Sequence, residues 1–325
     1  MLHPKYELKI GSLTFEPKSS DFLTGLTVDC SLNIPSDTFY GSIINNKLAK
    51  EIKKGDLLKI SLGYEDKLTV VFQGNVYDLI FSAFDTSVNA YSCTFNLSHL
   101  KIDKFYEQRT AGQIVKDLAV NASAETLDIE DGVKFPYYAI DSNKSAYEYI
   151  RELAVICGFD VYCDQENKLM FKKYNPVKKH AVEYGKNLIA VTMGVNPSPY
   201  QGVKIIAESP SSESGTETAH WLKKEQVYSL AGEEESLLTI VNRAVKDEDT
   251  ARKIAEERLD TLKYQKIVHA DVVGNPEIYL GDAITLEALP NPLLNGEYKI
   301  ITIQHIYSKR KGFITKLMCR GLSKE

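Results

Sequence analysis

The stretch Gly55-Asp56-Leu-Leu-Lys-Ile-Ser-Leu62 near the front of the chain is echoed near its back by Gly281-Asp282-Ala-Ile-Thr-Leu-Glu-Ala288. Glycine tolerates positive φ and aspartate bonds its own backbone, so each pair reads as a turn feeding a strand. The match continues downstream. Gly74-Asn-Val-Tyr-Asp-Leu-Ile-Phe81 is followed 17 residues after Gly74 by Tyr91, and Gly296-Glu-Tyr-Lys-Ile-Ile-Thr-Ile303 is followed 17 residues after Gly296 by Phe313. A Gly-Asp turn, a strand, a turn glycine, a long strand, a hairpin and a last alternating strand are thus written twice in the same order. One β design is expected to be built twice, with Gly55, Asp56, Gly74, Gly281, Asp282 and Gly296 as its turn and repeat positions. Asp56 and Asp282 read as turn caps rather than a catalytic pair, because each follows a turn glycine and leads into an alternating strand.

Alternation fills the rest of the first hundred residues: Tyr6, Leu8 and Ile10, then Leu26, Val28 and Cys30, then Leu58, Ile60 and Leu62, then Tyr91, Cys93 and Phe95. Residues 1–100 are therefore expected to form a first tube-like β-barrel. From residue 101 the period changes. Thr110-Ala-Gly-Gln113 and Ser145-Ala-Tyr-Glu148 are capping-box patterns. The first opens a helix through Ile114, Val115, Leu118 and Ala119, the second a helix carrying Tyr149, Ile150, Leu153, Ala154 and Cys157 that Gly158 ends. Phe159–Cys163 and Lys168–Phe171 alternate around Asp164-Gln-Glu-Asn167 as a hairpin. Residues 101–176 are expected to be a small α+β domain with two helices and this hairpin. Residues 177–325 are expected to be the second tube-like β-barrel, with an inserted helix near 249–265 and a mobile, serine-rich loop near 208–218. The fold class is α+β, mainly β: two related tube-like antiparallel β-barrels separated by a small α+β domain.

Chemistry finds few footholds in this pattern. The six histidines are scattered, with no HExxH, and Cys157 and Cys163 lack CxxC spacing, so no metal or cofactor site is expected. His305 alternates with Ile303 and Ile301 and is expected to be buried or at an interface. No phosphate loop, nucleophile elbow or kinase signature occurs; no catalytic residue can be named and an enzyme is not expected. A net charge of −5 and a pI of 5.8 argue against a surface that grips nucleic acid mainly through phosphate neutralisation, and no sequence-specific nucleic-acid partner is expected. The apolar runs are too short to span a membrane, and Met1–Ile10 lacks a secretory signal, which points to synthesis in a cytoplasm. Five scattered cysteines, Cys30, Cys93, Cys157, Cys163 and Cys319, read as reduced core residues.

Thr110-Ala-Gly-Gln-Ile-Val-Lys-Asp-Leu-Ala119, Ser145-Ala-Tyr-Glu-Tyr-Ile-Arg-Glu-Leu-Ala154 with Gly158-Phe159, and Gly274-Asn-Pro-Glu-Ile-Tyr-Leu-Gly281-Asp282 together resemble the phage late control D family. Asn295-Gly-Glu-Tyr-Lys-Ile-Ile-Thr-Ile-Gln-His305 and Gly312–Arg320 complete the likeness. This family of contractile-tail hub proteins is related to the N-terminal hub of type VI secretion spike proteins. The resemblance implies a structural baseplate hub: a homotrimer giving six similar units that adapt the hexameric tail tube to a threefold spike. It also implies contacts with the tail tube protein and other baseplate proteins, in a virion or injection particle assembled in a bacterial or archaeal cytoplasm. The chain stops at Gly321-Leu-Ser-Lys-Glu325, so the spike is expected to be a separate protein. With 19 tyrosines, a carbohydrate-binding module is the alternative, and a tail-tip cell-wall hydrolase a weaker one.

Overall fold

The strand period of the first hundred residues becomes one folded face. β1 (Pro4–Ile10) buries Tyr6, Leu8 and Ile10, and β2 (Leu13–Phe15) buries Phe15. β3 (Leu23–Ser31) and β4 (Thr38–Ile43) follow, then a single helical turn, α1 (Asn46–Ala49). β5 (Leu57–Tyr64), the 15-residue β6 (Lys67–Phe81) and β7 (Thr86–Tyr91) complete the unit. The order is β3-β4-β7-β6-β5-β1-β2, every neighbour antiparallel. The inward residues of all these strands, with Phe39, Phe72, Val88 and Ala90 at the centre, form one apolar core. This arrangement is seen in a computed structural model that describes residues 3–17, 23–44, 46–65, 67–207, 227–242 and 244–321.

The middle of the chain switches to helices where the sequence period does. α2 (Thr94–His99) and β8 (Lys104–Thr110) lead into α3 (Ala111–Asn121). β9 (Thr126–Ile129), β10 (Lys134–Ile140), α4 (Ala146–Cys157), β11 (Phe159–Cys163) and β12 (Leu169–Lys173) follow. Both capping boxes form. Thr110 Oγ1 accepts the Gln113 N–H and Gln113 Oε1 accepts the Thr110 N–H, each at 3.2 Å. Ser145 Oγ accepts from Glu148 N at 3.3 Å while Glu148 Oε2 accepts from Ser145 N at 2.7 Å. Gly158 ends α4 in the left-handed region with φ +66°, and a Cβ there would also lie 2.9 Å from the Glu257 Cβ. Glycine is needed at that position on both counts.

The last part starts with β13 (Lys179–Glu183) and β14 (Leu188–Val195). A three-stranded sheet of β15 (Gly202–Ala207), β16 (Val227–Gly232) and β17 (Leu237–Asn242) comes next, then α5 (Glu248–Leu262). Asp247 caps α5 by accepting from Thr250 N at 2.8 Å. Val203, Ile205, Ala251, Ile254 and Ala255 pack into the same core as Leu118, Ile150 and Leu153, so this insertion sits with the middle helices. β18 (Lys266–Val273), β19 (Ala283–Glu287), β20 (Gly296–Ser308) and β21 (Gly312–Gly321) then join β13 and β14 around a third core that includes Val268, Ile284, Ile300 and Leu317. The fold is therefore α+β and mainly β, with two related, mostly antiparallel sheet units. Although the middle domain parts them in sequence, β20 pairs with β3 and one continuous sheet runs through both. The serine-rich segment 208–218 lies outside the described residues.

Candidate functional site

The two Gly-Asp turns are built alike. Gly55 and Gly281 hold φ of +93° and +91°. Asp56 Oδ2 accepts from Lys53 N at 2.8 Å, and Asp282 Oδ2 from Tyr279 N at 3.2 Å, each three residues back. Both aspartates thus act as turn caps. Their carbonyls accept from Val76 N at 2.9 Å and from Ile300 N at 3.3 Å, which sets the two hairpins in one frame.

In that frame Leu58 faces Gly74 and Ile284 faces Tyr298, so the counterpart of Gly74 is Tyr298. Gly296 faces Leu286 and corresponds to Phe72, which faces Ile60. Asn75 faces Tyr91 and Lys299 faces Arg320, so Tyr91 matches Arg320 and not Phe313. The spacing of 17 aligned residues that the ladders do not superpose. The two glycines also have different reasons to be glycine: a Cβ on Gly74 would lie 2.4 Å from the Tyr91 carbonyl oxygen, whereas Gly296 is set by its φ of +150°.

The duplication itself is deeper than the punctuation. The order β1-β5-β6-β7-β4-β3 is matched by β13-β19-β20-β21-β18-β14. Only the first pairing differs, antiparallel for β1 with β5 and parallel for β13 with β19. Irregularities fall at equivalent places. The ladder slips between Val76 and Asp78 in one unit and between Ile300 and Thr302 in the other. It slips again between Leu23 and Gly25 and between Leu188 and Ala190. Bulges re-aim strands and are retained as designed features, so two shared bulges are stronger marks of a repeated unit than shared glycines.

The units meet through β20 and β3, from Thr302 opposite Ser31 to Ser308 opposite Gly25. Gln304 Nε2 donates to Asp29 Oδ1 at 2.7 Å, the hydroxyls of Ser31 and Thr302 lie 2.8 Å apart, and Leu32 N donates to the Ile301 carbonyl at 3.0 Å. The counterparts of these two edges are the end of β6, Asp78–Phe81, and the outer edge of β14. Among the described residues neither has a strand partner there. Both are apolar: Ile80 and Phe81 are 54% and 55% exposed, Ile189 and Val195 54% and 56%. In the shared frame Leu79 and Val195 stand for Ile303 and Cys30, and Ile80 and Gly194 for Gln304 and Asp29. Pro197 stands where Leu32 does and has no N–H, so the Leu32 bond has no counterpart. Uncovered apolar edges are what folded proteins usually blunt; among the described residues no strand covers these two.

Two titratable groups beside the internal junction, Asp37 and His305, are buried. Asp37 accepts from Ser31 N at 3.1 Å, and burial, reinforced by the nearby Asp29, pushes its carboxyl up to about 7. Burial drives His305 down to about 4, and its Nδ1 lies 3.0 Å from Thr315 Oγ1, as befits the buried strand residue its alternation suggests. His180 Nε2 lies 2.9 Å from Asp282 Oδ2, both buried. That pair was not visible in sequence, where 102 residues separate the partners. Among the described residues no group of three or more His, Cys, Asp or Glu is placed to hold a metal ion, and no helix is long and apolar enough to cross a membrane.

No protein-family model matches the sequence, and no curated protein matches it. Solved structures do. The 43 kDa tail protein of prophage MuSo2 from Shewanella oneidensis is 17% identical, with a TM-score of 0.72 over 98% of each chain. A tail protein from Neisseria meningitidis MC58 is 12% identical, with a TM-score of 0.73 over 98% of this chain and 96% of its own. An E. coli component of the type VI secretion system, described as similar to the T4 bacteriophage tail proteins gp27 and gp5, is 11% identical. Its TM-score is 0.63 over 98% of this chain and 77% of its own. At these identities the likeness is one of fold.

Proposed function

We propose that this chain is the central baseplate hub of a phage-like contractile tail or injection system, of the late control D type, and acts as a homotrimer. The observation that carries the reading is the repeated sheet unit with one junction made inside the chain and the two equivalent edges left open. A contact between different edges of two copies is head-to-tail, and head-to-tail contacts close into rings when the rotation allows. Three copies joined in this way present six similar units, which suits a hexameric tail tube on one side and a threefold spike on the other. The shared fold with phage tail proteins and a type VI secretion component supports the same reading.

On this account the work is mechanical. The hub binds the tail tube protein, a separate spike protein and other baseplate proteins, within a particle assembled in a bacterial or archaeal cytoplasm, and performs no catalysis. A second reading, carbohydrate binding, draws on the stacked rings of Phe105 and Tyr137, 5.7 Å apart, which line a groove of about 780 Å³ with Tyr149 and Val241. Light scattering across concentration, alone and with the spike protein of the same gene cluster, separates the two. The hub gives a mass three times 36.5 kDa, alone or on adding the spike; a monomer in both conditions that is retained on a glycan column favours the binding module.

A further inference from the structure

The first sheet unit hands over to the middle domain at Cys93, which follows β7 and immediately precedes α2. Directly across lies Cys163, the last residue of β11. Their sulfurs are 3.0 Å apart although 70 positions separate them in sequence, and both side chains are buried. The contact is held from both sides. The Cys93 N–H donates to Asn167 Oδ1 at 2.6 Å, and the turn carrying Asn167 is fixed by Asp164 Oδ1, which accepts from Glu166 N at 3.0 Å and Lys168 N at 2.8 Å. Of the other three cysteines, Cys157 Sγ accepts from Val133 N at 3.4 Å, Cys319 packs in the core of the second unit, and Cys30 lines the same cavity as Cys163.

We propose that Cys93 and Cys163 are a latent disulfide that a peroxide closes, stapling the first sheet unit to the middle domain. The sulfurs need to approach by about 1 Å to reach the ~2.05 Å of a disulfide, with each side chain already aimed at the other. Cys163 also borders a small cavity of about 20 Å³ shared with Cys30, Ser92 and His305, which has room for one molecule about the size of water. One thiolate attacks a peroxide oxygen, the O–O bond breaks, hydroxide leaves, and a sulfenic acid forms. The second sulfur then displaces the hydroxyl, which departs as water. Two thiols and one hydrogen peroxide become one disulfide and two waters; the sulfurs are oxidised and the peroxide reduced. The hydrogen bond shared with Cys163, together with burial, holds Cys93 protonated well above the ordinary range, so the thiolate is scarce, closure is slow at neutral pH and it quickens as pH rises.

A bond across so long a loop restrains the unfolded chain strongly, which suits a protein that leaves a reducing cytoplasm. That setting rests on the hub reading; the bond itself does not. The test is to treat the full-length reduced protein with hydrogen peroxide, quench, denature, alkylate and weigh it. Alkylated thiols fall from five to three with loss of two hydrogens, peptide mapping places the link at 93 and 163, and the unfolding midpoint rises by several degrees until reductant is added. Cys93→Ala and Cys163→Ala each keep all their remaining thiols and show no such rise. Five alkylated thiols after treatment, a link between other cysteines, or sulfinic acid without a link each overturn the proposal. Because the thiol count reads the bond in any oligomeric state, a monomer that forms it counts against the hub and not against the disulfide.

Discussion

Replacing Asp37 with asparagine removes a titration from the junction while keeping an oxygen to accept the Ser31 N–H. In the folded chain burial raises the Asp37 carboxyl from 3.8 to about 7. A carboxyl raised in this way contributes stability that is fully present below about pH 4 and is lost as pH rises through 7. The rise spans roughly three pH units, and at about 1.4 kcal/mol per unit the loss is about 4 kcal/mol. His305 works in the opposite sense. Its fall from 6.5 to about 4 contributes stability present above pH 6.5 and lost as pH drops toward 4, by about 3 kcal/mol on the same conversion. The two partly cancel in the native protein, and Asp37→Asn unmasks the histidine. Urea unfolding of both proteins between pH 4 and 8 reads this directly. The variant gains about 4 kcal/mol on the native protein between the acid and alkaline ends of that range. A difference between the two that stays constant within about 1 kcal/mol across the range refutes the account of Asp37 as a buried acid.

Three further outcomes follow from the geometry. Ser145→Ala removes the oxygen that accepts from Glu148 N and lowers stability by about 1 kcal/mol in chemical unfolding. Gly74→Ala drives a Cβ to within 2.4 Å of the Tyr91 carbonyl oxygen and costs about 1–3 kcal/mol in chemical unfolding; Gly296→Ala, whose Cβ meets nothing nearer than 3.8 Å, is strained by its φ of +150° instead, at a similar cost of about 1–3 kcal/mol, and a Gly74→Ala variant of unchanged stability would contradict the close approach. Ile80→Lys, on the exposed end of β6, leaves the unfolding free energy of the single chain within about 0.5 kcal/mol and shifts a trimer to monomer by light scattering.

Signals confined to a few neighbouring residues were legible in the sequence. Both capping boxes, the glycine that ends α4 and the two Gly-Asp turns are local hydrogen-bonding devices, and each stands where the residues indicate. Register was not legible. Gly74 and Gly296 share spacing to an aromatic residue, but a strand's partner is chosen by the ladder across it, and a bulge shifts that ladder without any mark in the sequence. The same limit hid the β20–β3 junction, whose Gln304 and Asp29 are 275 residues apart, and the packing of β15–β17 and α5 onto the middle helices. Asp37 follows Ser36 and precedes Thr38 in what reads as a polar turn; only the surrounding strands bury it.

The central claim is that the open edge of β6 in one copy takes β14 of the next, as β20 takes β3 within the chain. Gly194 has open space at its Cβ position and Ile80 is exposed, so Ile80→Cys combined with Gly194→Cys is a mild change. Residues directly opposite on paired strands lie about 4.5–5.5 Å apart at Cα, within the reach of a disulfide. Ile80→Cys with Ile189→Cys places the partner about 17 Å further along the strand and serves as the out-of-register control. Under mild oxidation the first pair forms a reductant-sensitive covalent trimer and the control does not. A solution trimer that the first pair fails to cross-link, or that both pairs cross-link equally, contradicts the claim.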